Sequence, residues 1–243
     1  MEECRGLRED HRRLKHGDGV ALRVMNDSQL RAAICDVGRS LHARGYVHAS
    51  AGNISVRLPG GGYLITPTDA CLGTLDPARL AQVDAHGVQV GGDRASKTLA
   101  LHRRIYESEP EAHCVLHSHA THLVALTLAG VWSDDDVVPP VTPYYVMKVG
   151  HLPLVPYHRP GDPAVADWVA ATIGRFQSRG TPIRGVLLDR LGPVVWHRTP
   201  AEASAVLEEL EETAKLWLMT NRSATPLDDA CIDELRKAFG ARW

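Results

Sequence analysis

Val115-Leu116-His117-Ser118-His119 is an apolar run that ends in two histidines one residue apart. In an extended strand residues i and i+2 leave from the same face, so the run predicts a buried strand that brings two imidazoles to one point. Two converging imidazoles are the beginning of a divalent-metal site. The pair alone says little, because 13 histidines in 243 residues yield about 0.7 such pairs by chance. Its surroundings have to carry the reading.

Upstream, Ile54, Val56 and Leu58 alternate up to Pro59-Gly60-Gly61-Gly62 and resume in Tyr63-Leu64-Ile65, which predicts a hairpin. Asp27-Ser28 caps an amphipathic helix on Leu30, Ala33, Ile34, Val37 and Leu41 that ends near Gly45. Short strand pieces fall between Leu80 and Asp93, and a helix between Thr98 and Glu109. Downstream, a helix starts near Thr121, a proline-rich loop passes Pro139, Pro140 and Pro143, and Leu152 to Tyr157 is strand-like. A helix over Ala164 to Phe176, a strand pair around Gly192 and a long helix from Ala201 to Met219 complete the pattern. Strands and helices mix without a strict βαβ rhythm. The fold class expected is α/β, a layered domain with a central, largely antiparallel sheet flanked by helices. One domain over residues 27–243 follows a charged extension over residues 1–26.

A content of 44% hydrophobic and 23% charged residues with a net charge of −2 gives no basic stripe for nucleic acid or a membrane surface, so a small-molecule substrate is expected. Five widely spaced cysteines with no Cys-x-x-Cys pair argue against a disulfide framework and fit reduced thiols. The N-terminus has no apolar core of a leader, and no stretch is long enough to span a bilayer, so the expected location is the cytoplasm.

Ser50-Ala51-Gly52-Asn53-Ile54-Ser55, Leu64-Ile65-Thr66-Pro67-Thr68, Ser96-Lys97-Thr98, His102 and the His117/His119 pair follow one another in the order and spacing of the class II aldolase/adducin family, which the chain resembles from about Asp27 to Phe239. Leu75-Asp76-Pro77, Thr142-Pro143-Tyr144-Tyr145-Val146-Met147-Lys148 and Tyr157-His158-Arg159-Pro160-Gly161-Asp162-Pro163 look most like its branch of 3-oxo-tetronate 4-phosphate decarboxylases. The resemblance implies the class II aldolase fold, a homo-oligomer, typically a tetramer, and a carbon–carbon lyase acting on a small phosphorylated keto or hydroxy acid through a stabilised enolate. It puts Asn53, Thr68, Ser96 and Lys97 on the substrate's phosphate side. Lys97 opens a helix, where a cation is unfavourable unless an anion joins it.

The resemblance also implies a divalent metal, zinc first and manganese or iron next, held by His117, His119, a third histidine before a glycine, and a glutamate that doubles as acid/base. In this chain Leu191 stands at the third histidine's place and Thr98 at the glutamate's. Asp189, two residues before Leu191, shares its face if both lie on a strand, and is the candidate replacement ligand. Loss of the glutamate is tolerated best by decarboxylation, where stabilising the developing enolate suffices. Tyr145 as proton donor, Lys148 as electron sink and Thr98 in the glutamate's place are the candidate catalytic residues. The alternative is a catalytically silent relative that binds a ligand or serves as an assembly subunit.

Overall fold

The computed structural model describes residues 25–243, so the charged extension lies outside the described residues up to residue 24. Inward and outward residues alternate along each central strand, and that alternation makes the layers. Helix α1 (Asp27–Ala43) precedes β1 (Asn53–Arg57), β2 (Tyr63–Ile65), β3 (Ala81–Val83) and β4 (Gln89–Gly91). Helix α2 (Leu99–Ser108), β5 (Cys114–His117), α3 (Thr121–Ala129), β6 (Leu154–Val155) and α4 (Ala164–Ser178) follow. The chain continues through β7 (Gly185–Leu188), β8 (Gly192–His197), α5 (Pro200–Met219) and α6 (Asp229–Phe239).

The eight strands form one sheet in the order β4-β3-β2-β1-β5-β8-β7-β6. Every pairing is antiparallel except the parallel β6–β7 pair, so the expected largely antiparallel sheet is observed. Ile54, Val56, Cys114, Leu116 and Val195 pack with α1, α3 and α5 on one side. Val115, Val186, Val194 and Trp196 pack with α2 and α4 on the other. Both sheet faces are therefore covered, and β5 lies in the middle, where its residues are all buried.

Local chemistry explains the ends of the elements. α1 starts under Asn26, one residue before the expected cap, because Gln29 at the third helical position returns the Asn26 hydrogen bond in a capping box. The hairpin forms as expected, with Arg57 paired to Tyr63 across the glycine turn. Gly52 and Gly192 flank β5 at positive φ, and neither has room for a Cβ. An added Cβ would meet the His117 carbonyl oxygen at 2.8 Å from Gly52 and the Ser118 carbonyl oxygen at 2.3 Å from Gly192.

α4 is tied to the loop after α3 by Arg175 and Arg179, one turn apart, which share the Asp135 carboxylate. Their hydrogen bonds hold that carboxyl below the usual range. A depressed native pKa stabilises the fold above the unfolded-state value, and the gain is lost as pH falls through the native one. Asp135→Asn should therefore lower stability in urea unfolding at pH 7 by under ~1 kcal/mol, since the pair is open to solvent. The difference from the parent protein should close below about pH 4.

Candidate functional site

A cavity of about 410 Å³ opens where the last residues of β5 leave the sheet, within the range of small-molecule sites. One wall is Asn53 at the start of β1 and Thr68 after β2; a second is Ser96, Lys97 and Thr98 leading into α2. His117 and His119 form the floor. Arg159 to Pro163, the loop that enters α4, makes the opposite wall, and Leu188 and Leu191 close the end. The structure thus gathers seven of the ten candidate residues read from the sequence. It also puts Leu191 beside the two histidines.

The histidine pair departs from the simple strand picture. β5 ends at His117, and His119 lies beyond it on the way to α3. The rings still meet at a centroid distance of 5.0 Å, inclined at 60°. His117 Nδ1 donates to the Pro193 carbonyl oxygen at 2.9 Å, which leaves Nε2 as an acceptor. Burial, and then the neighbouring His119, push His117 down to about 4. Burial and then His48 lower His119. Both imidazoles are thus neutral at pH 7. His48, whose ring lies 6.2 Å from that of His119, was passed over in the sequence because a single histidine after Val47 carries no spacing.

Behind the floor, hydrogen bonds fix a buried relay. Tyr106 Oη donates to the Ser55 carbonyl oxygen, so Ser55 Oγ must donate to Tyr106 and accept from His102 Nδ1. His102 Nε2 is then a buried acceptor without a partner among the described residues, as is Asn53 Oδ1. An unpaired buried polar group costs about 1–3 kcal/mol, so the Asn53 amide, at the cavity wall, gains from a polar ligand. Ser96 Oγ and Thr98 Oγ1 are 2.9 Å apart, and one hydroxyl proton of that pair is free for a ligand. Lys97 is exposed and makes no ion pair among the described residues.

Three candidates lie elsewhere. Tyr145 and Lys148 belong to a π-helical turn over Tyr145–Val149, not to the cavity wall. Tyr145 is fully buried, its hydroxyl on the Val138 carbonyl at 3.4 Å and its ring against Trp243. Lys148 is exposed on that turn, and its carbonyl oxygen accepts from Arg184 at 2.6 Å. The expected catalytic roles of Tyr145 and Lys148 therefore have no contact with the cavity within one chain. Asp189 is also displaced. Residues 189–191 form a turn with Arg190 at φ +62°, so the strand alternation that put Asp189 and Leu191 on one face does not apply. Asp189 is not among the residues that line the cavity, and Arg190 lies 4.0 Å from its carboxylate.

The set of donors for a metal is consequently short. Among the described residues no group of three His, Cys, Asp or Glu side chains converges. Two neutral imidazoles in a cavity also lined by Leu191, which has no donor atom, do not make the three protein ligands of a catalytic zinc site.

Comparison with known proteins places these features in context. The Class II Aldolase and Adducin N-terminal domain matches residues 32–218. The 3-oxo-tetronate 4-phosphate decarboxylase of Cupriavidus necator is 59% identical over 227 residues, covering 90% of this chain and 100% of that protein. The enzyme of the same name from Escherichia coli K12 is 40% identical and covers 86% of this chain and 96% of its own length. The crystal structure of YgbL from Escherichia coli superimposes with a TM-score of 0.78 at 40% identity, over 86% of this chain and 99% of that chain. L-fuculose-1-phosphate aldolase from Thermus thermophilus does so with a TM-score of 0.65 at 25% identity, over 82% and 98%.

Proposed function

The chain belongs to the class II aldolase and adducin family, and from that premise we propose that it removes CO₂ from a 3-oxo-tetronate 4-phosphate. It is a carbon–carbon lyase. The observation that supports this substrate best is the single cavity that holds Asn53, Thr68, Ser96 and Lys97 together with His117 and His119.

In a 3-oxo acid the ketone is β to the carboxylate. As CO₂ leaves, the electrons of the C1–C2 bond flow into the ketone and form an enolate, and C2 then takes up a proton. The site must hold the phosphate, favour the developing oxyanion and keep the reacting bond out of the ketone plane. Lys97, the Ser96/Thr98 hydroxyl pair, Thr68 and the first turn of α2 meet the phosphate, since backbone N–H groups and the helix dipole favour an anion there. His117, with Nε2 an acceptor, receives a substrate hydroxyl.

A metal ion in such a site would polarise the ketone, but the residues here do not fit one, and no step is assigned to it. The misfit has a direct test. Elemental mass spectrometry of protein purified without a metal-affinity tag should find metal well below one ion per chain. Leu191→His should raise it toward one, because the third imidazole completes the donor set beside His117 and His119. A full complement in the parent protein would overturn the misfit.

The function is tested by supplying 3-oxo-tetronate 4-phosphate and following CO₂ and the three-carbon ketose phosphate. Release of both in equal amounts is expected. Phosphate-ester protection against thermal unfolding with no CO₂ would replace the enzyme by a ligand-binding relative.

A further inference from the structure

A 3-oxo-tetronate 4-phosphate carries an anion at each end, and the cavity has two permanently positive side chains on different elements. Lys97 precedes α2, and Arg159 precedes α4. No other lysine or arginine among the described residues lines it. The two helices pack side by side, and the first residues of both reach the cavity, so two positive dipole ends face the same space.

Arg159 is only loosely committed within its own chain. Its side chain is 71% exposed, and its carboxylate partner, Asp162, is 3.9 Å away. Elsewhere, Arg79 sits 2.6 Å from Asp93 and Arg31 sits 2.7 Å from Asp27. Asp162 is itself engaged, since its Oδ1 accepts from the Ala164 backbone N–H at 3.0 Å at the start of α4. Among the described residues the guanidinium fork of Arg159 has no hydrogen-bond partner, which leaves it available to take a planar anion in two parallel hydrogen bonds.

We propose that Arg159 receives the substrate's carboxylate, and thereby selects a keto acid over a neutral sugar phosphate, an inference that rests on the decarboxylase reading of the same cavity. The phosphate side is already supplied by Asn53, Thr68, Ser96 and Lys97, so the second cation falls to the second anion. The role is one of recognition. The carboxylate loses its charge as it becomes CO₂, so the contact with Arg159 is stronger in the ground state than in the transition state. Removing it raises KM and does not lower kcat, which stays level to the extent that the contact persists in the transition state and rises to the extent that it is lost there.

Two ligands that are not turned over separate this from the reaction itself. 4-Phosphoerythronate and erythritol 4-phosphate differ in one group, a carboxylate against a hydroxymethyl. Calorimetric titration should show Arg159→Ala weakening 4-phosphoerythronate by about 10- to 100-fold, as for a lost charge-assisted hydrogen-bond pair, and leaving erythritol 4-phosphate within about threefold. Arg159→Lys should recover part of the loss. In turnover, Arg159→Ala should raise KM by a similar factor with no fall in kcat. Equal weakening of both ligands, or of neither, would overturn the assignment. Absence of CO₂ release by the unsubstituted protein would instead sink the decarboxylase reading, while the difference between the two ligands would still decide what Arg159 binds.

Discussion

Lys97→Ala should lower kcat/KM for the phosphorylated keto acid by about 10²- to 10³-fold, the range for deleting one well-placed cationic or oxyanion-binding group. The side chain lines the cavity, carries no ion pair among the described residues, and stands one residue before Thr98, the N-cap of α2. That N-cap's side chain bonds to Ser96 and not to the first turn of its helix, whereas α1, α5 and α6 are capped by Asn26, Thr199 and Asp228. A phosphate there would satisfy the lysine and the open first turn together. Much of the loss should appear in KM, with a smaller fall in kcat because binding energy remote from the reacting bond also fixes its geometry. Steady-state kinetics read both, and phosphate-ester protection in a thermal melt should disappear in the same variant. Unchanged kinetics would mean that the phosphate lies elsewhere.

Glu211→Ala should destabilise the fold by about 3 kcal/mol, although Glu211 touches no ligand. Its carboxylate, on α5 and 2% exposed, accepts from the His122 backbone N–H at 2.9 Å, from His122 Nδ1 at 2.8 Å and from the Leu123 backbone N–H at 3.1 Å. α3 has no capping side chain of its own at Ala120, so Glu211 caps it from another helix and places a negative charge at its positive end. The alanine variant leaves two buried N–H groups unpaired, each costing about 1–3 kcal/mol less whatever water recovers. Urea unfolding should show the midpoint shift, and the melting temperature should fall by roughly 6–12 °C for a chain of this size. Glu211→Gln keeps one accepting oxygen and should lose about half as much. A shift under ~1 kcal/mol in the alanine variant would rule out the capping role.

What the sequence made legible was what local pattern controls. The hairpin over Asn53 to Ile65 was readable because a two-residue period meets a glycine run, and α5 because its apolar positions recur at helical spacing. Asn53, Thr68, Ser96 and Lys97, expected on the phosphate side, and the histidine pair were singled out because their motifs stand in family order, and the structure places them around one cavity. Other features depend on contacts distant in the chain. Tyr145 is buried by Trp243, almost one hundred residues later, which no pattern around Tyr144-Tyr145 announces. Asp189 was misjudged because the strand was assumed to run through Arg190, whose positive φ turns the chain. Glu211 lay inside the expected long helix from Ala201 to Met219, yet its capping role exists only where α5 packs against α3. Arg159 stood in the Tyr157–Pro163 motif with no role attached, and the role proposed for it depends on the α4 entry loop sharing a cavity with Lys97.

The two glycines that press on the His117–Ser118 backbone have a consequence for motion. With Gly52 on one flank and Gly192 on the other, the carbonyls of the histidine segment are hemmed by main chain, and β5 is hydrogen-bonded to β1 and β8 on both sides. Backbone amides there should exchange with solvent deuterium only when the sheet opens, and the Arg159–Pro163 loop, held by the Asp162 N–H on the Arg159 carbonyl and by the Asp162 Oδ1 and carbonyl contacts to the first turn of α4, should exchange faster. Ligand should therefore slow exchange in the loop and in the first turn of α2 and leave β5 as slow as it already is. The histidine floor is set by main chain packed on both sides of it, so any adjustment to a ligand falls to the arginine wall.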